Sequence, residues 1–309
     1  MNIAIFGVGA MGMLFGSRLS GLANVTLFGN WPEQLSAVRR RGLVVTHPDG
    51  SKSVYCLNVT DDLNTMPPAD VALLLVKSYQ TSRAARQAAN ILRPGGIAVT
   101  LQNGLGNLEK LAETVGPERA VQGITAQGAA ILGPGRLRHA GHGPTYLARL
   151  PGKEPQLQRL VDLLNQAGLE THLVDSADSL VWGKLAINAG INPLTALFDV
   201  PNGALLHNPT LRAVMTAAAR ETAEVAAALG ITLPYDDPAR RVAEVAEATA
   251  ANYSSMLQDI RRGSPTEIDA ICGAVARYGA RLGVPTPVNR WLWQRIKRKE
   301  RTATEKIRV

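Results

Sequence analysis

Lys184, Asn188 and Asn192 recur at intervals of four within Trp182-Gly183-Lys184-Leu185-Ala186-Ile187-Asn188-Ala189-Gly190-Ile191-Asn192-Pro193, a run whose other members are apolar or small. In a helix each step of four turns the next side chain by only about 40° around the axis, so the three share one face. An ammonium and two carboxamides among apolar neighbours need partners, because an unpaired buried polar group costs about 1–3 kcal/mol and a charge more. Such a face suits a polar ligand. Spacing alone equally allows a plainer arrangement, in which Asn192 opens a turn before Pro193 and Lys184 extends its stem to solvent.

A second chemical stretch lies at the start of the chain. Asn2–Phe6 reads as a strand, Met13–Leu19 as a helix, and between them stands Gly7-Val8-Gly9-Ala10-Met11-Gly12. Gly7 permits a tight turn, Gly9 lets the backbone approach a pyrophosphate, and Gly12 lets helix pack on strand. The helix N-terminus then offers unpaired N–H groups to phosphate oxygens. A GxGxxG alone is weak evidence, but its position after the first strand and before a helix points to dinucleotide binding. After the second strand, Asn24–Phe28, an NAD-preferring fold commonly carries Asp or Glu; this chain has Gly29-Asn30-Trp31.

The elements that position these groups follow from pattern. Residues 43–59 hold two short strand-like runs around His47-Pro48-Asp49-Gly50, expected as a hairpin-like insertion. The run from Asp70 is apolar through Val76, as in a parallel strand covered on both faces, and ends on Lys77. A helix over Thr81–Leu92, a turn at Arg93–Gly96 and a strand over Ile97–Leu101 come next, then Gln102-Asn103-Gly104. This alternation implies a doubly wound sheet with ligands at the carboxyl ends of its strands, where Lys77 and Asn103 stand. Taken alone, either could serve only local hydrogen bonding.

Residues 120–149 are strand-rich and Gly-rich; His139 and His142 lack a third nearby metal ligand there. A helix to about Gly168 and a strand at Thr171–Val174 finish the first domain. Beyond Asp175 the periodicity is helical only, over Leu211–Leu229, Pro238–Ala251 and Glu267–Leu282. The expected fold is an α/β Rossmann-like dinucleotide-binding domain over residues 1–174 and an all-α substrate and catalytic domain over residues 175–309.

Composition fits this plan. The chain has 309 residues, 46% apolar and 19% charged, the profile of a globular protein of two cores. No apolar run reaches the roughly 18–20 residues of a membrane span, and the chain opens on a strand without a basic leader, so a cytoplasmic protein is expected. Cys56 and Cys272 show neither metal-ligand spacing nor a disulfide framework. Of the net charge of +8, five charges sit in residues 295–309, where seven Lys or Arg meet Glu300 and Glu305. Without interleaved aromatics or a binding motif this tail reads as a solvated helix end, not a nucleic-acid surface.

The segment from Trp182 through Asn192-Pro193-Leu194-Thr195-Ala196 closely resembles the central motif of the ketopantoate reductases. So do Val200-Pro201-Asn202-Gly203, Ser254-Ser255-Met256 with Asp259, and Thr266-Glu267-Ile268-Asp269, in family order. The Lys77 and Gln102-Asn103-Gly104 segments and the His-x-Gly-x-Gly stretch from His139 also match, so the resemblance runs from residue 3 to about 292. Read from sequence alone, Thr266 would be a helix N-cap with Glu267 and Asp269 in the first turn.

The resemblance implies NADPH-dependent reduction of 2-dehydropantoate to (R)-pantoate, in the pathway to pantothenate and coenzyme A. It makes Lys184 the catalytic acid and Glu267 its orienting partner. Asn188, Asn192 and Asn202 would bind the pantoate portion, and Asn103 and Ser255 its carboxylate end. Gly7, Val8, Gly9, Ala10, Met11, Gly12, Asn30 and Lys77 would meet the cofactor, with Asn103 and Glu267 also close to it. The family's usual arginine after the second strand is replaced by Asn30, which leaves NAD open as an alternative to NADP. The expected partner is a small-molecule substrate, with no nucleic acid, membrane or metal, and the chain is expected as a monomer or homodimer. A dehydrogenase for another 2-oxo acid or β-hydroxyacid, or a non-catalytic NADP(H)-binding regulator, are the competing readings.

Overall fold

The computed structural model describes residues 1–307, with side chains through Thr302. The last cations of the basic tail, Lys306 and Arg308, lie outside the described side chains. The chain divides into two compact units: residues 1–102 with 107–177, and residues 103–106 with 178–309. Among the described residues no helix is long and apolar enough to cross a membrane.

The first unit runs β1 (Asn2–Phe6), α1 (Ala10–Leu19), β2 (Asn24–Phe28), α2 (Pro32–Arg41), β3 (Leu43–Thr46), β4 (Lys52–Tyr55), β5 (Asn58–Thr60) and β6 (Ala69–Leu74). It continues with α3 (Thr81–Ile91), β7 (Leu92–Thr100), α4 (Asn107–Val115), β8 (Ala120–Thr125), β9 (Gly128–Gly133), β10 (Arg136–Gly141), β11 (Thr145–Ala148), α5 (Glu154–Gln166) and β12 (Thr171–Val174). Eight strands form one sheet in the order β12-β11-β8-β7-β6-β1-β2-β5. β1 is parallel to β2 on one side and to β6 on the other, so the strand order reverses beside β1. Ligands of open parallel sheets bind at the carboxyl ends of strands at such a reversal.

Period-two alternation explains why both faces of this sheet are covered. Ile3 and Ile5 of β1, with Val71 and Leu73 of β6, face a core shared with Met13, Leu14 and Phe15 of α1 and Leu157, Leu160 and Leu164 of α5. The intervening Ala4, Phe6, Ala72 and Leu74 face a second core with Ala84, Ala85 and Ala88 of α3 and Leu111 of α4. The expected hairpin forms from β3 and β4, paired antiparallel, but it does not stand alone: β3 also pairs parallel with β10, giving a four-stranded sheet β4-β3-β10-β9. The Arg93–Gly96 turn is instead a bulge inside β7. Ala69 pairs with Leu92 and Val71 with Ile97, and the looped-out residues are tied down by Arg93 to Asp70 at 2.7 Å and Arg119 Nε to the Gly96 carbonyl at 2.9 Å.

The second unit is helical: α6 (Asp178–Phe198), α7 (Ala204–His207), α8 (Pro209–Ala228), α9 (Pro238–Ala248), α10 (Ser255–Arg261), α11 (Cys272–Leu282) and α12 (Pro287–Ile307). α6 is its axis, buried continuously from Ala189 to Ala196. A Cβ on Gly190 would lie 2.8 Å from the Met215 carbonyl oxygen, so glycine is what lets α6 and α8 approach. Pro193 does not end α6. Lacking an N–H, it leaves the Ala189 carbonyl without its helical donor, and the Cys272 thiol donates there at 3.8 Å. The plainer reading of Asn192 as the start of a turn is therefore not what the chain does.

The helix expected from Glu267 begins only at Cys272, because Thr266–Ile271 form a bend and turns held by side chains from α12. Thr266 donates through both N and Oγ1 to Glu300, at 2.7 and 2.6 Å. Asp269 accepts from Trp293 Nε1 at 2.6 Å and Lys297 at 2.9 Å.

Candidate active site

In the first unit the turn after β1 is shaped by two close approaches. Gly7 sits at φ +129°, where a Cβ would lie 2.7 Å from the Leu75 carbonyl oxygen, and a Cβ on Gly12 would lie 1.8 Å from the Gly7 oxygen. Neither position tolerates a side chain. Gly9 differs: a Cβ there meets nothing within 4 Å, and Gly9 caps α1 without a side-chain hydrogen bond. The N–H groups of Ala10, Met11 and Gly12 lie in the first turn of α1, where backbone donors have no intrahelical acceptor, and that turn carries no acidic side chain. An exposed approach over glycine, a helix N-terminus and no competing carboxylate fit the pyrophosphate of a dinucleotide. Val8 is buried, with Gly29 against it.

Asn30 is exposed just beyond β2, and Trp31 caps α2 half-buried. Arg39, Arg40 and Arg41 occupy the last turn of α2, roughly 10 Å or more along the helix from its start near Asn30. Arg39 donates to Asp61 at 2.9 Å and to the Val59 carbonyl at 3.2 Å. Lys77 follows β6, and its loop is fastened to the end of β7: Gln102 Nε2 donates to the Val76 carbonyl and to Thr81 Oγ1, both at 2.9 Å.

In the second unit Lys184, Asn188 and Asn192 lie along α6, the first two half-buried and Asn192 buried. Burial lowers the Lys184 ammonium from 10.5 to about 8, while the Glu267 carboxylate works the other way. Glu267 is itself buried and accepts from Asn103 Nδ2 at 3.4 Å. That contact joins residues far apart in sequence because segment 103–106 docks on the turns after Thr266. Leu105 N donates to the Ala270 carbonyl at 2.9 Å, and Gly104, at φ +82°, would bring a Cβ within 2.5 Å of the same oxygen.

The first turns of α6 are braced as well. Tyr235 Oη donates to the Gly183 carbonyl at 2.6 Å, and burial pushes that phenol up to about 12. Asn202 is buried and donates to Thr249 Oγ1 at 2.9 Å. Ser255 is exposed at the first position of α10, whereas its neighbour Ser254 is the buried cap, accepting from Leu257 N and bonded to Thr195 Oγ1 at 2.7 Å. Asp259 is buried and paired with Arg262 at 2.8 Å.

Sequence reasoning missed the clamp on Glu267. Glu300 and Lys297, paired at 2.9 Å, together with Trp293, hold Thr266 and Asp269 on either side of it. Their only signal was mixed charge in a stretch read as solvated. His139 proves structural: it is buried, contacts Arg18 at 3.1 Å and Gln127 at 2.9 Å, and burial, with His142 and Arg18 nearby, lowers it to about 4. Among the described residues no group of three or more His, Cys, Asp or Glu is arranged to hold a metal.

Two family models match the chain: one described as ketopantoate reductase PanE/ApbA over residues 3–152, the other as its C-terminal part over residues 177–300. A 2-dehydropantoate 2-reductase of Halobacterium salinarum is 38% identical over 294 residues, covering 94% of this chain and 96% of its own. A solved PanE/ApbA family ketopantoate reductase from Ralstonia eutropha JMP134 superposes with a TM-score of 0.89 at 29% identity, over 98% of this chain and 99% of that one. D-mandelate dehydrogenase, solved with NADH and anilino(oxo)acetate, superposes with a TM-score of 0.90, also at 29% identity and the same coverage.

Proposed function

The chain belongs to the ketopantoate reductase family, and on that premise we propose that it reduces 2-dehydropantoate to pantoate with a nicotinamide dinucleotide, NADPH in preference to NADH. The observation that carries this reading is the lowered Lys184 beside the buried Glu267. At about 8 the amine is mostly protonated at neutral pH, yet gives up its proton far more readily than an ordinary lysine.

When bound, a reduced nicotinamide would supply the hydride for the ketone carbon. The Lys184 ammonium donates its proton to the carbonyl oxygen, which becomes the new hydroxyl, and remains in place as a neutral amine. Glu267 keeps that ammonium charged before the transfer and accepts from the substrate hydroxyl. Asn188, Asn192 and Asn202 hold the pantoate portion, and Asn103 and Ser255 its carboxylate, so that the reacting carbon is presented in one orientation. Gly7 through Gly12 would hold the pyrophosphate, and Lys77 and Asn30 would meet other parts of the cofactor.

A second reading deserves a test because of one residue. Asn30 stands where the family commonly has arginine, and the solved D-mandelate dehydrogenase carries NADH with anilino(oxo)acetate. A neutral amide neither repels a 2′-phosphate, as a carboxylate would, nor grips it bidentately as a guanidinium does. Losing a charged contact costs on the order of 1.5–3 kcal/mol, so the NADPH preference is expected to be about one to two decades narrower than an arginine gives. Comparing kcat/KM for NADPH and NADH, each with 2-dehydropantoate and with phenylglyoxylate, checks both points. 2-Dehydropantoate and NADPH are expected to lead; a clear preference for NADH with phenylglyoxylate supports the mandelate-type reading instead.

A further inference from the structure

The chain enters the buried Glu267 on side-chain support. Pro265 offers no N–H, and Thr266 N donates not to a carbonyl but to Glu300 Oε1 of α12, at 2.7 Å. Thr266 Oγ1 donates to the same oxygen at 2.6 Å while accepting from Ile268 N at 3.2 Å. An oxygen that faces two donors suits an ionised carboxylate, which has no proton of its own to place there. The Glu300 side chain is only 12% exposed, and its other oxygen is paired with Lys297 at 2.9 Å. Lys297 in turn reaches Asp269 at 2.9 Å, where Trp293 Nε1 also donates, at 2.6 Å. One helix therefore grips the chain on both sides of Glu267.

α12 is a firm base for that grip. Leu292 and Ile296 are fully buried in the core that also holds Leu185, Ala186 and Ala189 of α6. Lys299 Nζ donates to the Leu197 carbonyl near the end of α6, at 2.8 Å. α6 carries Lys184, whose charged form Glu267 favours against the opposing effect of burial. The same helix is thus fastened both to the element of the proton donor and to the turn of its carboxylate. Attraction between opposite charges falls with distance, and at an effective dielectric of about 20 a displacement of roughly 2 Å changes an ionisation equilibrium about tenfold.

On the reading of Lys184 as proton donor and Glu267 as its partner, we propose that Glu300 is a positioning residue of the reduction: from α12, through Thr266, it fixes where the Glu267 carboxylate stands relative to Lys184. Glu300 acts through another residue and takes no part in the proton transfer itself.

The pH profile of kcat for 2-dehydropantoate, measured on the full chain, tests this. Glu300→Ala frees Thr266 and lets Glu267 move away from Lys184. The proposed reduction uses the protonated amine, so a weakened partner brings the fall in rate to lower pH, and the alkaline limb is expected about one pH unit below that of wild type. Glu300→Gln keeps an oxygen for both Thr266 donors, and Lys297 retains Asp269, so its limb stays close to that of wild type. A direct effect of the Glu300 charge on Lys184 would instead be lost equally in both variants. Thr266→Val removes the hydroxyl link and lowers the limb part of the way; combined with Glu300→Ala, the shift is smaller than the sum of the two. A limb that stays or rises in Glu300→Ala, that falls as far in Glu300→Gln, or that shifts additively in the double variant overturns the role of Glu300 while the proposed activity stands. If Glu300→Ala does not fold, the other two single variants decide: a limb lowered in Thr266→Val and kept in Glu300→Gln supports the role, and any other pairing overturns it. A wild type without turnover of 2-dehydropantoate, or without an alkaline limb near 8, overturns the reading of Lys184 and the inference with it.

Discussion

Lys184→Ala is expected to lower kcat for ketone reduction by about a thousandfold, within the range of a lost general acid, while KM moves little. The proton it supplies is needed only as charge builds on the carbonyl oxygen, so its removal is felt in the transition state more than in binding. The pH profile gives the same claim a second face. Lys184 is lowered by burial to about 8, and the proposed reduction uses its protonated form. Below about pH 8 the acid is present and the rate is flat; above it the rate falls tenfold per unit as the ammonium deprotonates. The reverse oxidation, which needs the neutral amine as base, has the opposite dependence. In Lys184→Ala the alkaline limb near 8 disappears. A variant with near-normal kcat, a raised KM and an intact limb assigns Lys184 to binding alone.

Glu267→Gln tests the other half of the pair. The carboxylate raises the Lys184 pKa against the larger lowering by burial, so neutralising it moves the alkaline limb to lower pH. The same change removes the charged acceptor proposed for the substrate hydroxyl, and together these are expected to lower kcat/KM at neutral pH by about tenfold to a hundredfold. Glutamine keeps the volume and can still bond Asn103, which limits the disturbance of the turns after Thr266. If the limb stays at its wild-type position while activity falls, Glu267 acts through the shape of the loop and not through charge.

Both predictions start from residues that were legible in the sequence, for a physical reason. Lys184, Asn188 and Asn192 lie on one helix, where a spacing of four is itself the geometry. β1, the glycine turn and α1 form one continuous stretch, and the apolar run of β6 suited a strand covered on both faces. What stayed hidden depended on partners distant in sequence. Spacing left a turn before Pro193 as open as a continuing helix, because the Cys272 thiol that serves the Ala189 carbonyl lies on another helix. Thr266–Ile271 looked like a first helical turn because Glu300, Trp293 and Lys297, which hold it open, sit in α12. The same is true of Asn103, which the sequence placed at a strand end and whose amide reaches Glu267. The His47–Gly50 hairpin was visible as a local turn, but its pairing with β10 was not, since cross-sheet partners leave no local periodicity.

The central claim is that this chain reduces one 2-oxo acid by hydride and proton transfer, and the most direct test is a stoichiometric conversion. Purified protein is mixed with NADPH and excess 2-dehydropantoate at neutral pH, NADPH loss is followed by absorbance, and the product is identified by chromatography against authentic pantoate. One pantoate is expected to form for each NADPH consumed. Protein that binds NADPH but neither consumes it nor forms pantoate under these conditions contradicts it.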